Sequence, residues 1–186
     1  IDGNEANEGG GICVWSCSPE LSDLLITENI ASNLGGGARF ASSSSNISNV
    51  IIDDNEAVNG GGVTISWSDV NFNNVELKNN QASSSGGGID SWDNYQITLE
   101  DVLFENNEAS GGGGLSFSNT PTIINNTQFI GNEAFGSGGG IIFTGTGSDL
   151  NVINTVFINN ISEDHGSAIH LKYGVDAELG NIVIAN

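Results

Sequence analysis

A glycine run followed by an apolar residue recurs about every 26 residues along the chain. The runs end at Gly11, Gly37, Gly62, Gly88, Gly114 and Gly140, and the next residues are Ile12, Ala38, Val63, Ile89, Leu115 and Ile141. A degraded seventh copy reads Gly166-Ser167-Ala168-Ile169. A fixed period of this length specifies a solenoid, in which each repeat buries its apolar face only by stacking on its neighbours.

Other columns keep the same period. A hydrophobe, two residues and an asparagine precede each glycine run and supply Asn4, Asn29, Asn55, Asn80, Asn107, Asn132 and Asn160. Asparagine tolerates the left-handed backbone region and bonds its own backbone at turns. Stacked asparagines also bond one another, so these seven are expected to form a ladder along the rod. Ala6, Ala31, Ala57, Ala82, Ala109 and Ala134 follow two residues later, suited to a corner with room for one methyl group. Asp23, Asn49, Asn74, Asp101, Asn126 and Asn154 form a third column, three residues before the hydrophobe.

The apolar runs alternate with period 2, as in Val63-Thr64-Ile65, Val70-x-Phe72 and Val75-x-Leu77. One buried face per strand produces this pattern. No segment has helical periodicity, and ~26 residues leave no room for a crossover helix. The expected fold is all-β: a right-handed parallel β-helix of about seven coils, with three short strands per coil separated by Asn and Gly turns. The hand follows from the usual chirality of parallel crossovers. Seven coils at the ~4.8 Å strand spacing make a rod roughly 34 Å long.

The 23 acidic residues face only Arg39, Lys78 and Lys172, giving a formal net charge of −20. Phosphate recognition relies on Lys and Arg, so no nucleic-acid partner is expected. No apolar run approaches the ~18 residues of a membrane span, so no membrane insertion by this segment is expected. Methionine is absent even at position 1, and both ends cut through a repeat. Residues 1–186 are therefore read as one β-helix domain, a segment of a longer solenoid.

The paired Gly-Gly-Gly-[Ile/Val/Leu/Ala] and hydrophobe-x-x-Asn motifs resemble the repeats of polymorphic outer membrane proteins and related right-handed β-helix bacterial surface proteins. Gly-Gly-Gly is intact six times and the Asn motif appears seven times, so the resemblance covers the whole chain. Phenylalanine itself stands in the motif only at Phe104, Phe129 and Phe157. The resemblance implies an exported, cell-surface rod or adhesin. Its partner would be a surface protein or glycan of a host or neighbouring cell, or another copy of itself in a filament.

Few residues remain for chemistry, and the expectation is no enzymatic activity. Polysaccharide lyases and hydrolases also use β-helices, but Arg39 has no acidic partner evident from the sequence. Asp53-Asp54 and Asp164-His165 fall more than four coils apart, too far to share one substrate. Calcium is the cation best suited to this chain, through carboxylate and carbonyl oxygens at successive corners. The carboxylates singled out are Asp53, Asp54, Asp90 and Asp93. Trp15 and Trp92 point nominally outward, either to stack on sugars or a protein or to be covered by inserts such as Ser91 to Gln96; the covered arrangement is favoured. Cys13 and Cys17 would lie ~13 Å apart on an extended strand, but a turn at Trp15-Ser16 would allow a disulfide.

Overall fold

The computed structural model describes residues 1–145 and 149–185. Within them the chain winds into stacked coils whose strands form three parallel sheets. One coil shows the plan. Glu56–Asn59 contributes to the first sheet, Val63–Ser66 to the second and Asp69–Lys78 to the third. Register is kept through the stack, as in Ile52↔Leu77↔Phe104 and Ile65↔Ser91↔Phe117.

Three sheets are present, but their membership corrects the expected division of strands. The alanine column is not a corner. Ala31, Ala57, Ala82, Ala109 and Ala134 are buried within strands of the first sheet. Only one inward residue of each such strand is apolar, so alternation is invisible there. Conversely, the two segments read as separate strands before and after the third column are one bent strand in Ser44–Asp53, Asp69–Lys78 and Gln96–Glu105. The bend falls on the third column, where Asn49, Asn74 and Asp101 have φ of 54–55°. Asx side chains tolerate this left-handed region better than other non-glycine residues.

Each coil has four such left-handed positions. Besides the third column they are the residue before the ladder asparagine, the glycine three residues before each second-sheet strand and the residue that follows that strand. In the central coil these are Asp54, Gly60, Trp67 and Asn74. The ladder asparagines themselves are outside the left-handed set, which corrects the turn role expected for them. The second and third glycines are required by closeness, since a Cβ on Gly61 would lie 2.5 Å from the Gln81 carbonyl oxygen of the next coil.

The ladder is continuous from Asn4 to Asn160. Each Nδ2 donates to the Oδ1 of the next coil's asparagine: Asn29 to Asn55, Asn55 to Asn80 and Asn80 to Asn107 at 3.0 Å. The backbone N–H of each donates to the same oxygen, as from Asn55 to Asn80 at 3.1 Å. The second Nδ2 hydrogen ties the ladder to the core, as from Asn80 to the Ile52 carbonyl at 2.9 Å. Beside it runs the column Ile26, Ile52, Leu77, Phe104, Phe129, Phe157, every member buried. The phenylalanine rings stack parallel with centroids 4.6 and 4.9 Å apart. That separation is the coil spacing itself, so the fold sets the ring stack directly.

An outward ladder has the opposite polarity. Asn49 donates to Asp23, Asn74 to Asn49 and Asn181 to Asn154, each towards the preceding coil. Aspartate cannot donate, so Asp101 accepts from Asn126 and passes no bond to Asn74.

Candidate functional site

The outward side of the second sheet departs from a solvated face. Its second-position column runs Cys13, Arg39, Thr64, Asp90, Ser116, and its fourth-position column runs Trp15, Ala41, Ser66, Trp92, Ser118. Both columns point away from the core, because Ala38, Phe40, Val63, Ile65 and Ile89 fill the inward positions. Yet Arg39 is 3% exposed, Thr64 and Ser66 are 0% and Asp90 is 8%.

The arginine causes much of this. Its side chain runs along the rod axis over two small residues of the following coils. Nη2 donates to Ser66 Oγ at 2.8 Å and Nη1 to the Phe40 carbonyl at 2.9 Å. The guanidinium carbon lies 5.4 Å from the Trp92 ring centroid, a cation–π arrangement. Nε has no hydrogen-bond partner; the nearest carboxylate oxygen is Glu8 Oε2, at 3.6 Å. Burial depresses the guanidinium pKa, against the fields of Glu8, Cys13 and Asp90. The sequence-level reading of Arg39 without an acidic partner is thus corrected. Aligning the repeats places Asp90 two coil steps along the same column, with only Thr64 between.

Asp90 is the one carboxyl group strongly perturbed. Burial raises its pKa to about 7, against opposing hydrogen bonds from Ser116 and the Ser91 backbone and the field of Arg39. In the native state it holds its proton more tightly than in the unfolded chain, so its ionisation opposes folding as pH rises from about 4 to 7. Asp90→Asn is expected to leave stability nearly unchanged near pH 4 and to raise it by about 4 kcal/mol at pH 8, for a rise from 3.8 to about 7 at about 1.36 kcal/mol per pKa unit. Urea denaturation at the two pH values checks this. An equal gain at both, or none at pH 8, would contradict the buried-carboxyl account.

Tryptophans border this floor. Trp15 and Trp92 stand three coil steps apart in one column, and Trp67 directly follows Ser66 between them. Trp15 is 66% exposed, Trp67 52% and Tyr95 73%. The expectation that inserts cover Trp15 is therefore wrong; Trp92 is half-buried. Of the insert Asn94-Tyr95, only Asn94 turns inward. Asn94 is buried and its Nδ2 donates to Ser91 Oγ at 2.7 Å.

The other singled-out residues do not converge. Among the described residues, no three His, Cys, Asp or Glu side chains form a group able to hold a metal ion. Asp53 accepts a hydrogen bond from Asn79 Nδ2 at 2.8 Å. Asp54 lies at a left-handed corner lining an open groove with Glu28, Glu56 and Glu108. Asp93 accepts from Asn119 Nδ2 at 3.1 Å, at the corner beyond the strand that carries Asp90. Cys13 and Cys17 are exposed free thiols, although the chain does turn between them, at Ser16 with φ of 52°. His165 and His170 face each other with centroids 5.4 Å apart, and Ser137 Oγ lies 3.4 Å from His165 Nδ1. Strand pairing puts Asp53 four coil steps from Ile158, in the coil that carries His165, or about 19 Å along the axis.

Nested columns, parallel sheets and an internal asparagine ladder define a β-solenoid repeat protein. The model of the right-handed β-helix region matches residues 4–157, and the chain belongs to that family. No curated protein matches it.

Proposed function

We propose that the chain is a rigid, non-enzymatic rod of an exported surface protein that displays its outward columns to a binding partner. The observation that carries this reading is the unbroken inner ladder from Asn4 to Asn160. Nearly every coil repeats the same inward chemistry, while the outward faces of the strands differ from coil to coil. Selection for a stack with a variable exterior produces that division of labour. The motif resemblance to polymorphic outer membrane protein repeats supports placement at the cell surface and a role in adhesion. The separation of Asp53 from the coil of His165, about 19 Å along the axis, supports the absence of a hydrolase-like pair, because general acid–base chemistry needs its groups within reach of one substrate.

Beads coated with the chain should adhere to neighbouring or host cells, and the chain should resist proteases under native conditions. Release of oligosaccharides from any polysaccharide incubated with the chain would overturn the non-enzymatic reading. Failure to adhere to any cell surface would overturn the adhesive one.

A second reading, as subunit of a filament, is favoured by an outward apolar stripe on the third sheet. Leu25, Ile51, Leu103, Val156 and Val183 occupy one column, interrupted by Glu76 and Gln128. Lateral contact along this stripe would bury it. Sedimentation showing only monomers at high concentration would exclude that reading.

A further inference from the structure

We infer that the edge bearing Trp15, Trp67 and Trp92 is a binding site for an extended, neutral polysaccharide. The inference rests on the reading of the chain as a rod that presents its outward columns, and it names the partner class for one of them.

All three tryptophans of the chain fall on this edge, within four successive coils. They are spaced by the fold. Trp15 and Trp92 are three coil steps apart, about 14 Å along the axis, and Trp67 sits two steps from the first and one from the second. One coil step is comparable to the advance of one sugar in an extended glycan, so aromatic platforms fixed at multiples of it match a repeating ligand. Between Trp15 and Trp92 the column holds only the small, buried Ala41 and Ser66, and Arg39 bridges from Ser66 to the Trp92 ring beneath this edge. Arg39 is 3% exposed, with its Nε facing Glu8 at 3.6 Å, so it supports the tryptophan edge from below.

Backbone conformation gives an independent observation. The corner position of Trp67 is left-handed in every coil, and its other occupants are Ser16, Ser42, Asp93, Asn119, Gly145 and Tyr173. Trp67 has φ of 49° there. A bulky side chain in this region is a genuine outlier, and such costs persist mainly where a function uses the side chain. Asparagine or serine would satisfy the turn better, and Trp67, unlike the isolated Tyr173 of the same corner, stands within two coil steps of both other tryptophans.

The chemistry selects a sugar. Exposed large hydrophobic residues on this edge are aromatic only, whereas the exposed aliphatics Ile30, Val58, Ile161, Leu25 and Ile51 lie on the other two sheets. Rings interspersed with hydroxyl, amide and carboxylate groups from Ser42, Asn119 and Asp93 suit the alternating apolar faces and hydroxyl edges of a pyranose. Aromatic residues are also enriched at protein interfaces, and it is the spacing of the rings by whole coil steps that favours a repeating ligand. The net charge of −20 disfavours polyanions, which makes the ligand a neutral glycan.

Affinity electrophoresis of the intact chain through gels containing β-glucan, galactomannan, arabinoxylan or polygalacturonate tests this, with tryptophan fluorescence titration for affinity. At least one neutral polymer should retard the chain and polygalacturonate should not. Trp67→Asn should weaken binding about tenfold, as expected for loss of one stacking platform. The same variant should raise Tm by a few degrees, because asparagine suits the left-handed corner. Tyr173→Ala, at the same corner three coils beyond Trp92's, should bind normally. Retardation unchanged in Trp67→Asn overturns the inference, as does absence of retardation in a chain with β-sheet circular dichroism and protease resistance intact. Tryptophan-dependent capture by protein-coated but not glycan-coated surfaces also overturns it. A protease-sensitive chain would instead overturn the rod reading, and with it this inference.

Discussion

Replacing Asn80 with alanine should lower stability by about 3–5 kcal/mol, a large share of what holds an ordinary domain together. The side chain makes bonds in both directions. Its Oδ1 accepts from the backbone N–H and the Nδ2 of Asn55, and its Nδ2 donates to Asn107 Oδ1 and the Ile52 carbonyl. Alanine leaves the buried Asn55 N–H and Nδ2 without that acceptor. Asparagine at an outward position provides the contrast. Asn71 bonds Asn46 at 3.1 Å in solvent, and Asn71→Ala should cost no more than about 0.5 kcal/mol. Equal losses for the two variants in thermal or urea unfolding would remove the ladder from the account.

A glycine substitution should be still more damaging. A Cβ on Gly113 would lie 2.3 Å from the Glu133 carbonyl oxygen and 2.7 Å from the Glu133 nitrogen, both in the backbone of the next coil. No rotamer relieves a clash between backbone atoms and a Cβ. The coils must separate locally, which breaks strand pairing on both sides of the corner. Gly113→Ala should cost more than about 3 kcal/mol and yield little folded protein. Two residues earlier, a Cβ on Gly111 would meet only the Ser137 carbonyl oxygen, at 3.9 Å. Gly111→Ala should be neutral or stabilising by up to about 1 kcal/mol through the unfolded chain. Expression and Tm of the pair check the prediction, and a soluble, wild-type-stable Gly113→Ala would contradict the close approach of coils.

Legibility in the sequence followed the number of copies. Inward columns repeat in nearly every coil, so Asn80, Leu77, Ala82 and Gly88 were assignable from period alone. The strand carrying Ala82 was missed because a strand with one apolar residue and polar neighbours gives no alternation to read. The bend at Asn74 was read as a break because left-handed residues and strand ends use the same Asx side chains. The site was harder, since its residues occur once. Arg39, Asp90 and Trp67 each depart from their column, and a departure carries no period. Aligned columns would have brought Arg39 and Asp90 together, two coil steps apart. Their approach follows from the small Thr64 between them and Ser66 beside it, a packing consequence that single-residue reading overlooks. Trp67 needed the backbone, because only the shared φ of its corner shows that the ring sits where Ser, Asp or Asn would serve.

The claim on which the rod depends is that one internal amide ladder runs the length of the stack. Side-chain amide hydrogen exchange, followed by NMR on the intact chain, tests it most directly. The Nδ2 hydrogens of Asn29, Asn55, Asn80, Asn107 and Asn132 should exchange only with global opening, while those of the outward Asn46, Asn71 and Asn74 exchange quickly. Ladder amides that exchange as fast as the outward ones would contradict a continuous, buried ladder and the rod built on it.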